Sequence, residues 1–202
     1  MSEDFQEKMA QYEQITSMSA LARRYFVTNT FDGVLTIFGV LLGSFLAGLM
    51  DPNVIVTMSL GAGAAIFVSG VWGTYLAESA ERTKSRKDLE RKMLRNLEET
   101  DISEAENFAT IYVSLIDGLS PLVAIIFVLL PFFASLYGVV DMTSAYYISF
   151  GFCVILFIFL GIFLGKLSKE NLFIAALKSL MVGIICAVII YGISVITAAP
   201  MH

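Results

Sequence analysis

The chain has 202 residues, 57% hydrophobic and 15% charged, and the apolar residues fall in blocks too long for a water-soluble core. A net charge of −5 argues against nucleic acid as a partner. With no Gly-rich phosphate loop, no HExxH, no G-x-S-x-G and His202 as the one histidine, the sequence offers nothing for a hydrolase, an ATP-driven pump or another membrane enzyme to work with.

The pattern predicts an all-α integral membrane protein: five transmembrane helices, a cytoplasmic helical hairpin and an N-terminal amphipathic helix. The expected divisions are an amphipathic cytoplasmic helix over 1–26, transmembrane helices one and two over 27–77, a charged cytoplasmic segment over 78–113 and transmembrane helices three to five over 114–199. Phe5, Met9, Tyr12, Ile15, Leu21, Ala22 and Tyr25 form an apolar stripe at helical spacing, expected to lie on the membrane surface. Arg23, Arg24, Tyr25 and Phe26 read as an interfacial anchor, so the hydrocarbon begins near Val27. Asp32 then lies roughly 7 Å deep, at about 1.5 Å of rise per residue.

Phe31 to Met50 is an unbroken apolar run, expected to remain as a membrane helix rather than be removed as a signal peptide. Asp51-Pro52-Asn53 reads as a tight turn into a second span over about 54–76. From Glu78 to Glu106 the sequence carries seven cations and nine acids without proline or glycine, which predicts a water-exposed helix with i,i+4 pairs such as Glu78 with Arg82 and Asp88 with Lys92. Asp101 and Glu104 resemble a capping box, so a new helix is expected there and leads into a third span over about 115–137. Pro121 and Pro131 inside that span deprive the carbonyls of Asp117 and Phe127 of their helical partners. A fourth span is expected over 143–165 and a fifth over 172–198.

All 13 Lys and Arg fall before span one, between spans two and three, or from Lys166 to Lys178. This places the N-terminus in the cytoplasm and the C-terminus outside, in the cell (cytoplasmic) membrane. Lys178 is expected to snorkel back to the cytoplasmic interface. Cys153 and Cys186 sit in apolar runs and read as packing residues.

Asp32 is the first candidate for function, because a carboxylate in hydrocarbon costs about 2.5–3.5 kcal/mol on insertion scales and is seldom kept idle. It shares a helix face with Thr36, Gly39 and Gly43, and the GxxxG pair suggests a close helix contact. A second reading stays open, in which Asp32 is an aspartate in a first helical turn wetted by headgroups. Asp117 has the same two readings. Together with its freed carbonyl it offers hard oxygens of the kind Mg or Mn take, and Ile116-Asp117-Gly118-Leu119 echoes Phe31-Asp32-Gly33-Val34. In the charged segment, Glu78 and Glu81 share one face, while Glu98, Glu99, Asp101, Glu104 and Glu106 cluster at the far end. Two acidic patches are therefore expected, as metal sites or simply as solvated faces.

The Asp32-Gly33 opening, the charged helices between spans two and three, and the run GIFLGKLSKENLFIAALKSLMVGIICAVIIYGI from Gly161 to Ile193 resemble the vacuolar iron transporter family over about residues 28–198. The resemblance implies a homodimer of five-helix protomers that moves Fe2+ or Mn2+ out of the cytosol, in exchange for protons. It also implies that Asp32 lines a pathway at the dimer interface and that cytoplasmic glutamates gather metal. Where the family carries Met and Glu in span two, this chain has Gly70 and Thr74.

The resulting expectation is a divalent-cation exporter with no permanently bound cofactor, whose partners are the metal ion, protons, membrane lipids and a second copy of the chain. Asp32, Thr36 and Asp117 form the pathway, and Asp32, Glu78, Glu81, Glu104 and Glu106 are the metal candidates. The rivals are a non-transporting scaffold whose charged helices bind a cytoplasmic partner, and a transporter of another solute.

Overall fold

The computed structural model describes residues 2–94 and 100–198, and these are helical throughout apart from short connections. The helices are α1 (Ser2–Thr16), α2 (Met18–Leu46), α3 (Pro52–Met93), α4 (Asp101–Leu136), α5 (Met142–Ser168) and α6 (Leu172–Ala198). Five of them, α2 to α6, are long and apolar enough to cross a membrane. The chain is thus a multi-pass membrane protein. Glu98 and Glu99, part of the far acidic patch, and the turn expected beside them lie outside the described residues.

Several helix ends differ from expectation, for local reasons. The N-terminal helix does not run on to residue 26. It stops where Ser17 takes a left-handed conformation (φ 50), and α2 starts anew at Met18. There the Glu13 carboxylate accepts from the Ser19 backbone N–H at 2.9 Å and from its hydroxyl at 2.8 Å, satisfying a donor at the new helix start. The first connection lies at 47–51 rather than 51–53. Gly48 supplies the positive φ of 72 that ends α2, and the Leu49 N–H reaches back to the Ser44 carbonyl at 3.0 Å. Pro52 is the first residue of α3, a position where its missing N–H costs nothing, and Asp51 caps that helix by accepting from the Asn53 N–H at 2.9 Å. The fresh start at Asp101 is observed, but Thr100 occupies the cap position, its carbonyl accepting from the Glu104 N–H at 3.2 Å. Asp141 caps α5 through the Ser144 N–H at 3.0 Å, and left-handed Lys169 (φ 56) closes that helix.

The chain divides into two compact units, Met1–Asn29 with Phe67–Ser120, and Thr30–Ile66 with Pro121–His202. In the first unit α1 has a protein partner. Tyr12, Met18 and Ala22 are buried with Ala105, Ala109 and Val113 of α4, and Met9, Leu21, Tyr25 and Phe108 pack around them. The Tyr12 and Phe108 rings lie 5.6 Å apart. The stripe read as membrane-facing is thus spent in large part on α4.

The second unit is built on an aromatic and branched-aliphatic core. Tyr146 is fully buried; its ring meets Phe132 edge-on at 5.0 Å and its hydroxyl donates to the Leu49 carbonyl at 2.8 Å, which removes the one polar liability of the side chain. Ser149 likewise donates to the Val128 carbonyl at 2.8 Å. On α5, Gly161 is packed so tightly on α6 that a Cβ there would lie 2.6 Å from the Ala176 Cα, and one on Gly165 would lie 2.8 Å from the Ala175 Cβ, so this Gly-x-x-x-Gly pair serves helix packing. The other face of α6, from Phe173 through Ile184 and Val188 to Ile196, is exposed and apolar, as a lipid-facing helix requires. Lys178 reaches Glu170 at 3.2 Å.

Candidate functional site

The two Asp-Gly steps sit in different surroundings. In the second unit Asp32 is exposed on α2, and Thr36, one turn on, is half-buried. Beside Asp32, Gly33 is buried against the proline of α4, where a Cβ would lie 2.6 Å from the Pro121 Cα. The helices can approach this closely only because position 33 has no side chain.

Among the described residues, no close helix contact is found at Gly39 and Gly43. A Cβ on Gly39 would meet Ile190 at an ordinary 3.5 Å, and Gly43 has nothing within 4 Å. Gly43, Leu46 and Ala47 instead line a groove with Ile190, Ile193, Ser194 and Thr197 of α6, with a volume of about 320 Å³. The close approach on α2 has moved to Gly33, ahead of the GxxxG pair.

In the first unit Asp117 is buried, 4% exposed, on α4. Its Oδ2 accepts from the Thr74 hydroxyl of α3 at 2.6 Å, and its Oδ1 accepts from the Asn29 side-chain amide of α2. The backbones of α3 and α4 touch beside it: a Cβ on Gly118 would lie 2.7 Å from the Phe67 carbonyl oxygen, and one on Gly70 would lie 3.1 Å from the Gly118 Cα and 3.3 Å from Asp117 Oδ2. Neither Asn29 nor Thr74 stood out in the sequence as a site residue. Thr74 was marked only as the residue standing where the resembled family carries Glu, and Asn29 is only a polar residue just ahead of an apolar run.

The acidic residues of the charged segments separate into engaged and open ones. Glu78 accepts from the Tyr25 hydroxyl at 3.0 Å and pairs with Arg82 at 3.5 Å, both side chains 13% exposed. Arg86 donates to the Ser103 hydroxyl at 2.9 Å and pairs with Glu106 at 3.3 Å. Glu106 therefore belongs with the arginines of α3 rather than with Asp101 and Glu104, the grouping its place in the sequence suggested. Burial pushes the Glu106 carboxyl up, while Arg86 and Arg82 pull it back. Glu104 is exposed and faces α1, accepting from the Tyr12 hydroxyl at 3.3 Å with Lys8 at 3.9 Å. Glu81 is exposed. Asp88 pairs with Arg91 at 3.9 Å rather than with Lys92.

Among the described residues no three His, Cys, Asp or Glu side chains converge as a metal site. The two cysteines are free thiols, Cys153 buried on α5 and Cys186 half-buried on α6.

Against known proteins, the model of the VIT family matches residues 23–124, about half of the chain, and covers the charged helices and both Asp-Gly steps. An uncharacterized protein of Methanocaldococcus jannaschii is 32% identical over 173 residues, which span 82% of this chain and 87% of that protein.

Proposed function

The chain belongs to the VIT family, the vacuolar iron transporters and their relatives, and is thereby a membrane metal-ion transporter; we propose that it exports Fe2+ or Mn2+ from the cytosol in exchange for protons, as a homodimer in the cytoplasmic membrane. The observation that carries this reading is Asp32: an exposed carboxylate on an apolar membrane helix, one residue from the Gly33 and Pro121 crossing. One carboxylate and a neighbouring Thr36 are too few ligands for a divalent ion that takes six oxygens, and a second copy of the chain presenting its own Asp32 doubles the set. The confinement of all 13 cations to one side supports a cytoplasmic N-terminus.

On this reading the charged helices form the cytoplasmic entry. Glu81 and Glu104 are open to solvent, whereas a metal ion at Glu78 or Glu106 must displace Arg82 or Arg86. Hard carboxylate oxygens such as those of Asp32, Glu81 and Glu104 suit Mn2+ and Fe2+ better than softer ions.

Crystals of the protein soaked with Mn2+ or Co2+ test the assignment. Anomalous density beside Asp32, lost in Asp32→Asn, is the expected result. Density confined to other carboxylates would move the site.

A further inference from the structure

We propose that Asp117, held by Thr74 and Asn29, is the group that carries the exchanged proton, a role distinct from the metal-bearing role given to Asp32. The inference rests on the transport reading and adds a second, chemically different site to it. Three observations support it.

First, the carboxylate is buried and gripped from two other helices, by the Thr74 hydroxyl at 2.6 Å from α3 and by the Asn29 amide from α2. Second, the place is closed by backbone. Gly70 and Gly118 bring α3 and α4 together beside Asp117, a Cβ on Gly118 falling 2.7 Å from the Phe67 carbonyl oxygen and one on Gly70 3.3 Å from Oδ2, so the six-oxygen shell of a divalent ion does not fit without moving the helices. A proton does. Third, the partners can serve both states. Toward the carboxylate, Thr74 and Asn29 donate. When a proton binds Oδ2, the new O–H needs an acceptor, and the Thr74 hydroxyl supplies one by rotating. Uptake forms one O–H bond on Asp117 and cancels one negative charge. Release reverses both.

The titratable neighbours on the packed helices are Tyr25, four residues before Asn29 on α2, and Glu78, four residues beyond Thr74 on α3, which are hydrogen bonded to each other at 3.0 Å. Asp32 also lies on α2, three residues after Asn29, and is exposed. Glu78, itself paired with Arg82, is the next carboxylate along α3, about one helical turn from Thr74.

The test uses the full-length protein in lipid vesicles and has two arms. Infrared difference spectra between acid and alkaline pH are expected to show a protonated carboxyl C=O band that is absent in Asp117→Asn and whose midpoint rises in Thr74→Val, where the carboxylate loses a donor. In the flux arm, Asp117→Asn is expected to lose Mn2+ transport driven by a pH gradient and to keep Mn2+-for-Mn2+ exchange without one. A carboxyl band that survives Asp117→Asn unchanged overturns the proposal, as does loss of both kinds of flux in a variant that remains folded. If unsubstituted protein moves no divalent ion, the transport reading fails and the infrared band alone decides whether Asp117 titrates.

Discussion

Gly33 of α2 lies against Pro121 of α4 so closely that one added methyl carbon would stand 2.6 Å from the proline Cα and 2.8 Å from its carbonyl oxygen. Both near atoms belong to backbone, so neither side can yield by turning a side chain. Gly33→Ala should destabilise the folded protein by about 1–3 kcal/mol, the usual cost of overpacking. Gly43→Ala, where the space is open, should stay within about 0.5 kcal/mol. Thermal unfolding of the two variants in one detergent checks the pair; equal stability would mean that the crossing is looser than described.

Arg86 compensates Glu106, each side chain at least four-fifths buried. Its truncation to Ala leaves a carboxylate without its guanidinium and should cost about 1–3 kcal/mol near neutral pH. The folded carboxyl of Glu106 is raised by burial above its ordinary 4.5. Its contribution to stability is therefore fully present below that value and is lost as pH rises through the folded one. Arg86→Ala removes a group that lowers this value, so the deficit of the variant should shrink as pH falls from neutral through the folded Glu106 value. A deficit independent of pH would contradict this.

Asp141 behaves in the opposite sense. Hydrogen bonds from the Ser144 backbone and hydroxyl hold its carboxyl below the ordinary 3.8. Its stabilisation of α5 is present above that value and is lost as pH falls through the folded one. Hydrogen exchange at the start of α5 should therefore quicken at acid pH in the unsubstituted protein. In Asp141→Asn, which keeps an acceptor but cannot titrate, the acid-dependent part should vanish.

The docking of α1 on α4 is tested by proteolysis. Tyr12 is 7% exposed, packed on Phe108 and bonded to Glu104. Tyr12→Ala should loosen α1 and speed tryptic cleavage at Lys8 in detergent without lipid. If α1 were held by a membrane surface alone, the unsubstituted protein in detergent would already be cut as fast.

The spans were legible because length and apolarity decide them locally: a run such as Phe31 to Met50 has few folded alternatives. The capping residues were less so. Pro52 reads equally as a turn residue or as the first residue of a helix, and only the structure shows Asp51 capping it. The partner of α1 was not legible at all, since an amphipathic stripe is the same whether it faces lipid or α4. At Asp117 the sequence showed a carboxylate and a proline one turn on, but its partners come from positions 43 and 88 residues away. Thr74, noted only as the residue standing where the family carries Glu, proved to be one of them. Asp32 stood out as a candidate in the sequence alone, because a carboxylate at the start of an apolar run is conspicuous without any partner.

The central claim, that Asp32 lies on a proton-driven route for a divalent metal, is tested most directly by Mn2+ flux in vesicles holding the purified protein under an imposed pH gradient. Flux that depends on the gradient and is abolished in a folded Asp32→Asn variant is the predicted result. Undiminished flux in that variant, or no flux of Mn2+ or Fe2+ through the unsubstituted protein, would contradict it.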